Sequence, residues 1–205
     1  MPPTPPSLPG LPPLTWHGEP AAVEHDEARG RLSITARAGT DWFNDPLGEA
    51  VDLSAAALLL TPPEGDYSLS ARVRVAFADT FDAAVLVLHQ DERHYAKLCF
   101  ERSPQGRATI VSVVTRGTSD DANCVVVDGD EVHLRIVRTG RAHAFHHSTD
   151  GTTWHLVRVF RLDERGGAPV RAGLLAQAPG ATPCTSTFSD VVLSTTVPAD
   201  LRDGS

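Results

Sequence analysis

Hydrophobic and polar residues alternate along much of the chain, which is the period-two pattern of β-strands with one buried face. One such segment runs from Tyr67 to Phe77, with apolar residues at 69, 71, 73 and 75. Another, residues 131–162, has Thr139-Gly140 and Asp150-Gly151 where tight turns would join three strands. No segment keeps a helical period over three turns. The pattern therefore predicts roughly a dozen short strands and almost no helix.

Two segments depart from simple alternation. Residues 82–89 are almost wholly apolar, which predicts a strand that is covered on both faces. Residues 116–123 are polar, and we expect them to form a loop between strands at 108–115 and 124–127. Short strands separated by turn residues are typical of two packed antiparallel sheets, so the sequence predicts an all-β sandwich.

The two ends of the chain differ in composition from its centre. Seven of the first thirteen residues are Pro, which cannot donate to a sheet, so residues 1–13 are predicted to be an extended or disordered tail. Residues 14–197 are long enough for a single domain with its own core. Residues 198–205 are expected to be a loose C-terminal tail.

Composition narrows the classes of partner. The formal net charge is −8, which argues against a phosphate-tracking surface and hence against nucleic acid. No run of about 18 apolar residues is present, so no membrane span is predicted. The first residues lack the basic and apolar regions of a leader, and the three cysteines lack the spacing of a disulfide framework or a zinc site. We therefore expect three free thiols and a reduced, cytoplasmic setting.

Several segments together form an ordered series of motifs. They are GTDWFNDPLG at 39–48, FDAAVLVL at 81–88, HYAKLCFE at 94–101, IVSVVTRGTSDDAN at 110–123, VHLRIVRTG at 132–140 and AQAPG at 176–180. In this series the chain resembles a bacterial and fungal family of unknown function within the concanavalin A-like superfamily, a family that includes the yeast protein named for regulation of enolase. The resemblance covers about 16–193. It implies a jelly-roll sandwich of two curved antiparallel sheets, whose concave sheet often holds carbohydrate in that superfamily.

Polar side chains on the predicted strands form a first candidate site. Lys97 and Glu101 share one face of a strand, because the residues at 98 and 100 are apolar. By the same alternation Arg135 and His146 point outward. A lysine, a glutamate, an arginine and a histidine on one concave face would suit a polar or anionic ligand. The alternative is that alternation alone places these residues in solvent.

Two predicted loops supply further candidates. Asp120, Asp121 and Asn123 would offer oxygen ligands beside a strand end, or would bond their own backbone in an Asx turn. Trp42 would stack on a sugar ring or plug one end of the core. The full set of candidate ligand-binding residues is Lys97, Arg135, Trp42, Thr115, Asp120, Asp121, Asn123, Arg158 and Gln177.

Metal and cofactor sites are not predicted. His143 and His147 share a strand face, but at ~3.3 Å per residue a spacing of four is too long for one ion. The glycosidase strand pattern Glu-x-Asp-x-x-Glu, the Gly-x-Ser-x-Gly elbow and the Gly-rich phosphate loops are absent from the sequence.

The leading hypothesis is a cytoplasmic β-sandwich that binds a small polar ligand, a carbohydrate or sugar phosphate, on its concave sheet. A second is an isomerase, cyclase or hydrolase that uses the same groove, with Glu101 or His146 as acid or base. A third is a regulatory protein-interaction module. Nucleic acid, membrane and cofactors are not expected, and the oligomeric state is left open, with a homodimer allowed.

Overall fold

A computed structural model describes residues 2–48, 50–162 and 169–205. In that part of the chain the structure is strand and connecting turn, apart from one 3-10 turn at Glu27–Arg29. The strands are β1 (Thr15–His17), β2 (Ala22–Asp26), β3 (Arg31–Ala36), β4 (Trp42–Asn44), β5 (Val51–Leu53), β6 (Ala56–Leu60), β7 (Tyr67–Val75), β8 (Ala83–Asp91), β9 (His94–Arg102), β10 (Ala108–Arg116), β11 (Thr118–Val126), β12 (Glu131–Thr139), β13 (Ala142–Ser148), β14 (His155–Phe160), β15 (Arg171–Gln177) and β16 (Cys184–Ser194).

The strands form two large antiparallel sheets and one hairpin. Sheet A has the order β1-β6-β15-β8-β9-β10-β11, and sheet B has the order β14-β13-β12-β7-β16-β3-β2. Strands β4 and β5 pair only with each other. The predicted all-β jelly-roll sandwich is confirmed by this arrangement.

The main core lies between the two sheets and follows directly from the alternation in the sequence. Sheet A contributes Leu98 and Phe100 from β9, and sheet B contributes Ile136, Phe145 and Phe188. All five side chains are fully buried. Removal of this apolar surface from water is the main stabilising term for a two-layer fold of this kind.

Sheet A carries a second core on its outer face, the face directed away from sheet B. Val85, Val87 and Cys99 lie on this face and pack against Trp42, at the start of β4. Strand β8 is therefore covered on both sides, as its wholly apolar sequence predicted. The β4–β5 hairpin makes this second core possible because it lies over the outer face.

A buried hydrogen-bond network attaches the hairpin to sheet A. The side-chain amide of Asn44 donates to the carbonyls of Glu92 and Gly117 at 3.1 and 3.0 Å, and its oxygen accepts from the Tyr95 hydroxyl at 3.0 Å. The backbone N–H of Asn44 donates to Ser119 Oγ at 2.9 Å. One side chain at the end of β4 thus holds three separate segments together.

The prediction of a loop at residues 116–123 is wrong. Strand β11 begins at Thr118 and pairs with β10 along its length, with Val113 opposite Asp121. The reversal needs only the residues around Gly117, whose φ of +90° suits glycine. The segment is polar because β11 is the edge strand of sheet A and is mostly exposed, and charged residues are typical of exposed edges.

The C-terminal residues, expected to be a loose tail, fold against the outer face of sheet B. The carbonyl of Gly204 accepts from Arg135 Nη2 at 2.7 Å, and the carbonyl of Leu201 accepts from His146 Nε2 at 2.8 Å. The Arg135 guanidinium also lies 4.2 Å from the centre of the Trp154 ring. Near the N-terminus the Pro-rich segment is extended, and Leu8 within it is buried in the main core.

We expect Arg135→Ala to destabilise the protein. The substitution removes a charged hydrogen bond and a cation–π contact, and it leaves the Gly204 carbonyl without its partner, so a loss of about 1–3 kcal/mol is expected. The matched control is Arg74→Ala on the same face, because Arg74 is exposed and makes only long ion pairs to Asp130 and Glu131. Urea unfolding of both variants measures the difference, and equal midpoints would show that the C-terminal contact is not stabilising.

A second prediction concerns the hairpin anchor. Asn44→Ala should lower the free energy of unfolding by about 1–3 kcal/mol, because it removes three hydrogen bonds and leaves the buried Tyr95 hydroxyl with only a 3.4 Å contact to Ser119 Oγ among the described residues. Asn123→Ala, on the exposed edge strand β11, should change it by no more than about 0.5 kcal/mol. Chemical denaturation followed by fluorescence of the three tryptophans, which include the buried Trp42, measures the difference. The anchor role is excluded if both variants unfold at the wild-type midpoint.

Candidate functional site

Polar residues from three strands meet on the outer face of sheet A. Across the sheet, Gln177 of β15 lies opposite Ala83 of β8, which lies opposite Glu101 of β9. A parallel row joins Lys97 of β9 through Val113 of β10 to Asp121 of β11. Because side chains of one row share a face, this register places these polar groups on the same side.

Loops beside this face close it into a cavity of about 150 Å³. The cavity is lined by Asp41, Phe43, Phe81, Lys97, Glu101, Val111, Val113, Asp121 and Gln177. The sheet forms its floor. Asp41 lies just before β4, Phe43 lies within β4, and Phe81 lies just before β8. Polar groups and apolar walls are therefore present together, as in pockets for small polar ligands.

Lys97 is fully engaged in this site. Its ammonium donates to Asp41 Oδ1 at 3.0 Å and to Gln177 Oε1 at 2.9 Å, and the side chain is 2% exposed. Burial alone would lower the pKa of Lys97, but the Asp41 charge and hydrogen bond outweigh burial and raise the pKa above its ordinary value. Lys97 is thus a permanently charged, internally paired group.

Glu101, unlike Lys97, has no polar partner among the described residues. Its side chain is buried and faces the cavity, and no described residue makes a hydrogen bond or an ion pair to its carboxyl group. Burial, with smaller contributions from Asp41 and Asp121, raises the pKa of Glu101 to about 8 in spite of the nearby Lys97 charge. At neutral pH Glu101 is therefore mainly a protonated carboxylic acid that faces the cavity.

Phe81 stands at the mouth of the cavity in an unusual conformation. Its φ is +69°, a left-handed value that costs energy for a residue with a Cβ. Its backbone is held on both sides, since its N–H donates to the Arg102 carbonyl at 2.8 Å and its carbonyl accepts from Gln177 Nε2 at 3.0 Å. The ring is 45% exposed. Strain of this kind is found where the surrounding structure fixes a side chain in a required position.

Arg135 and His146 do not line this cavity. The prediction that they share one sheet face with Lys97 and Glu101 is therefore wrong. They pair with each other across β12 and β13 of sheet B, beneath the C-terminal residues. Burial lowers the pKa of Arg135 to about 10, and burial also lowers the pKa of His146. Alternation had shown correctly that they point outward, but outward from the other sheet.

Two further candidates have packing roles. Trp42 is fully buried, and its indole N–H donates to the Ala55 carbonyl at 2.8 Å, so its ring covers the second core and is not among the residues that line the cavity. Thr115 is fully buried and shares a 2.8 Å hydrogen bond with Ser119 beside the Asn44 anchor. Trp42 is thus a core residue, but it belongs to the core on the outer face of sheet A and does not plug one end of the sandwich core.

The remaining candidates lie on or beside the edge strand β11. Asp121 lines the cavity, whereas its neighbour Asp120 accepts a 2.9 Å hydrogen bond from Arg158 Nη2 and so joins the edges of the two sheets. Asn123 is exposed and lies opposite Val111. Of the predicted ligand-binding residues, the cavity therefore includes Lys97, Asp121 and Gln177, together with Glu101.

Sequence reasoning had not proposed Phe43 and Phe81 as ligand-binding residues and had not connected Asp41 with Lys97. The signal for Asp41 and Phe43 was present, because Asp41 directly before β4 and Phe43 within it alternate with the buried Trp42 and Asn44. Phe81 precedes a wholly apolar run, and nothing in that pattern distinguishes it from a core residue.

The described residues contain no group of three or more His, Cys, Asp or Glu side chains arranged to hold a metal ion. Cys99, Cys124 and Cys184 are free thiols. Among the same residues, no helix is long and apolar enough to cross a membrane.

Solved structures with the same fold include proteins of quite different size. A functionally unknown protein from Saccharomyces cerevisiae is 23% identical, with a TM-score of 0.81 over 90% of this chain and 97% of its own. The GH43 protein BlXynB from Bacillus licheniformis is 16% identical, with a TM-score of 0.62 over 77% of this chain and 31% of its own, so the chain matches only part of that enzyme. An alginate lyase from Klebsiella pneumoniae is 13% identical, with a TM-score of 0.54 over 84% and 83%.

Curated proteins offer no match to this sequence. A family model described as "Protein of unknown function (DUF1349)" matches residues 16–196, which is nearly all of the sandwich. The chain therefore belongs to that family.

Proposed function

We propose that this protein binds a small polar ligand of the carbohydrate class in the cavity on the outer face of sheet A. The observation that carries the proposal is the carboxyl group of Glu101, which is buried, faces the cavity and has no hydrogen-bond partner among the described residues. Its oxygens are not among the fully buried side-chain atoms that lack a partner, so they keep accessible surface toward the cavity, where a ligand can reach them. A ligand hydroxyl or amine would supply the missing partner.

The size of the cavity limits the ligand to about one ring. A volume of about 150 Å³ matches that of an engineered protein cavity that accepts one benzene molecule. A single six-membered sugar ring is therefore a better fit than a chain of rings lying across the sheet. Longer saccharides would enter by one terminal residue.

The chemistry of the walls suits a sugar. Phe43 and Phe81 provide apolar ring surface, and Glu101 and Asp121 provide acceptors for hydroxyl groups. Structural neighbours include the GH43 protein BlXynB, only part of which matches this chain, and the alginate lyase. Their fold gives support by analogy only, because one fold hosts many functions.

Charge favours a carbohydrate over a sugar phosphate. Lys97 is the only cation among the described residues that line the cavity, and its ammonium is already bonded to Asp41 and Gln177. Asp41 neutralises it, and Asp121 adds a negative charge. A phosphate would meet a net negative potential and no free donor of positive charge.

The second candidate function is catalysis in the same cavity, which the raised pKa of Glu101 favours. A carboxyl group that stays protonated near pH 7 is suited to act as a general acid, for a hydrolase, isomerase or cyclase alike. His146 would take no part, since it lies on sheet B. The interaction-module hypothesis, the link of the yeast relative to enolase and the cytoplasmic location stay predictions.

Binding is tested by isothermal titration calorimetry with a panel of hexoses and pentoses and their short oligomers. We expect at least one monosaccharide to bind, and Glu101→Ala to weaken it about ten-fold or more because a buried hydrogen bond is lost. Glu131→Ala is the control, since Glu131 lies on β12 of sheet B. The proposal fails if no sugar binds, or if both variants bind as tightly as the wild type.

The pKa of Glu101 also predicts a pH dependence of stability. The pKa is about 8 in the folded protein against an ordinary value of 4.5, so between these values the folded state holds a proton that the unfolded chain has released. The free energy of unfolding should therefore fall as pH rises from about 4.5 to about 8, and then level off. Glu101→Gln cannot ionise and should lose this component. Urea denaturation across that range measures it, and parallel profiles for the two proteins would contradict the raised pKa.

A further inference from the structure

The cavity has an unbalanced set of charged groups. Its lining includes three acidic side chains, Asp41, Glu101 and Asp121, against the single cation Lys97. Asp41 already pairs with Lys97 at 3.0 Å. Neither Glu101 nor Asp121 receives a hydrogen bond or an ion pair from the part of the chain that the structure describes. The unmatched groups of the site are therefore all acidic.

From this imbalance we propose that the ligand ring carries an amine, whose ammonium group pairs with the carboxyl group of Glu101. The inference rests on the proposed function, because it specifies the chemistry of the molecule that occupies the same cavity. A carbohydrate ring that carries such an amine is an amino sugar. Asp121, exposed on β11, would add negative potential at the rim and need not contact the amine.

Burial makes this acidic cluster a better cation site than a cluster of carboxylates on an open surface. Glu101 is only 9% exposed, and its carboxyl group faces the cavity without a partner. Solvent cannot stabilise its charge fully, so an ammonium that enters the cavity would gain much more from pairing with it than at an open surface. The nearby rings of Phe43 and Phe81 would also attract a cation, because aromatic faces carry negative electrostatic potential.

Pairing with an ammonium would require Glu101 to lose its proton. The titratable groups near Glu101 are Lys97 and Cys99 on its own strand, Asp41 from the loop before β4, and Asp121 on β11. The pKa of Cys99 is raised by burial, so its thiol stays protonated, and Lys97 and Asp41 neutralise each other. Glu101 is thus the group in this set that would change its charge near neutral pH, and binding of a cation would release its proton.

Two matched pairs of ring compounds separate charge from shape. Titration calorimetry of the full chain with cyclohexylamine and cyclohexanol, and with glucosamine and glucose, compares each amine with its hydroxyl counterpart. We expect each amine to bind at least ten-fold more tightly than its partner at neutral pH. We also expect the binding enthalpy to vary with the ionisation enthalpy of the buffer, which shows that up to about one proton is released per amine bound.

Variants test whether Glu101 is the responsible group. Glu101→Gln keeps the size and the neutral form of the side chain, and it should abolish both the amine preference and the proton release. Asp121→Asn should reduce the preference only in part. Asp128→Asn, in the exposed loop after β11, is the control and should leave both unchanged. The proton measurement on the wild type stands even if a variant folds poorly.

The outcomes distinguish this inference from the proposed function. Equal affinity for amine and hydroxyl compounds, or an amine preference that survives Glu101→Gln, overturns the amine inference and leaves a neutral sugar as the ligand. If neither pair binds but another sugar of the panel does, the amine inference alone fails. If no ring compound or sugar binds at all, both fail.

Discussion

The buried ammonium group of Lys97 is the constraint on which the outer face of sheet A depends. A charge that is 2% exposed is tolerable only when it is fully paired, and here the partners come from distant parts of the chain. Asp41 belongs to the segment before β4, and Gln177 ends β15. Loss of Asp41 would leave the buried charge uncompensated, and loss of Gln177 would leave one of its buried N–H donors without a partner. The pair therefore fixes the position of the β4 segment over the sheet and, with it, one wall of the cavity.

This constraint also explains why the two outer faces differ. On sheet A, the Asn44 network and the Lys97 pair hold a hairpin in place, so the face carries a second apolar core with a small cavity beside it. On sheet B, residues near the C-terminus lie over Arg135 and His146 and occupy their hydrogen-bonding groups with backbone carbonyls. Both faces are covered by chain, and on sheet A the cover leaves a cavity beside the unpaired acid Glu101.

The alternation of apolar and polar residues predicted which side chains share a face of the same strand. It assigned Lys97 and Glu101 to one face of β9 and Leu98 and Phe100 to the other, because the two-residue period is a local property of the backbone. It could not assign Arg135 to a sheet, since sheet membership is set by pairing with strands far away in sequence. Nor could it show that an outward residue is buried, because the covering segments are also distant. The error at β11 has the same origin, since its pairing with β10 overrides a polar composition.

The unpaired carboxyl group of Glu101 is the feature that packing alone does not explain. Leu or Met at this position would cover the adjacent apolar surface without the partial desolvation of a carboxyl group. Lys97 lies on the same face of the strand yet is directed to Asp41, so the fold does not use Glu101 to neutralise it. A group that costs stability and serves no internal contact is best explained by something outside the chain. The left-handed backbone of Phe81 agrees with that argument, because two hydrogen bonds within the chain hold its 45% exposed ring at the same cavity.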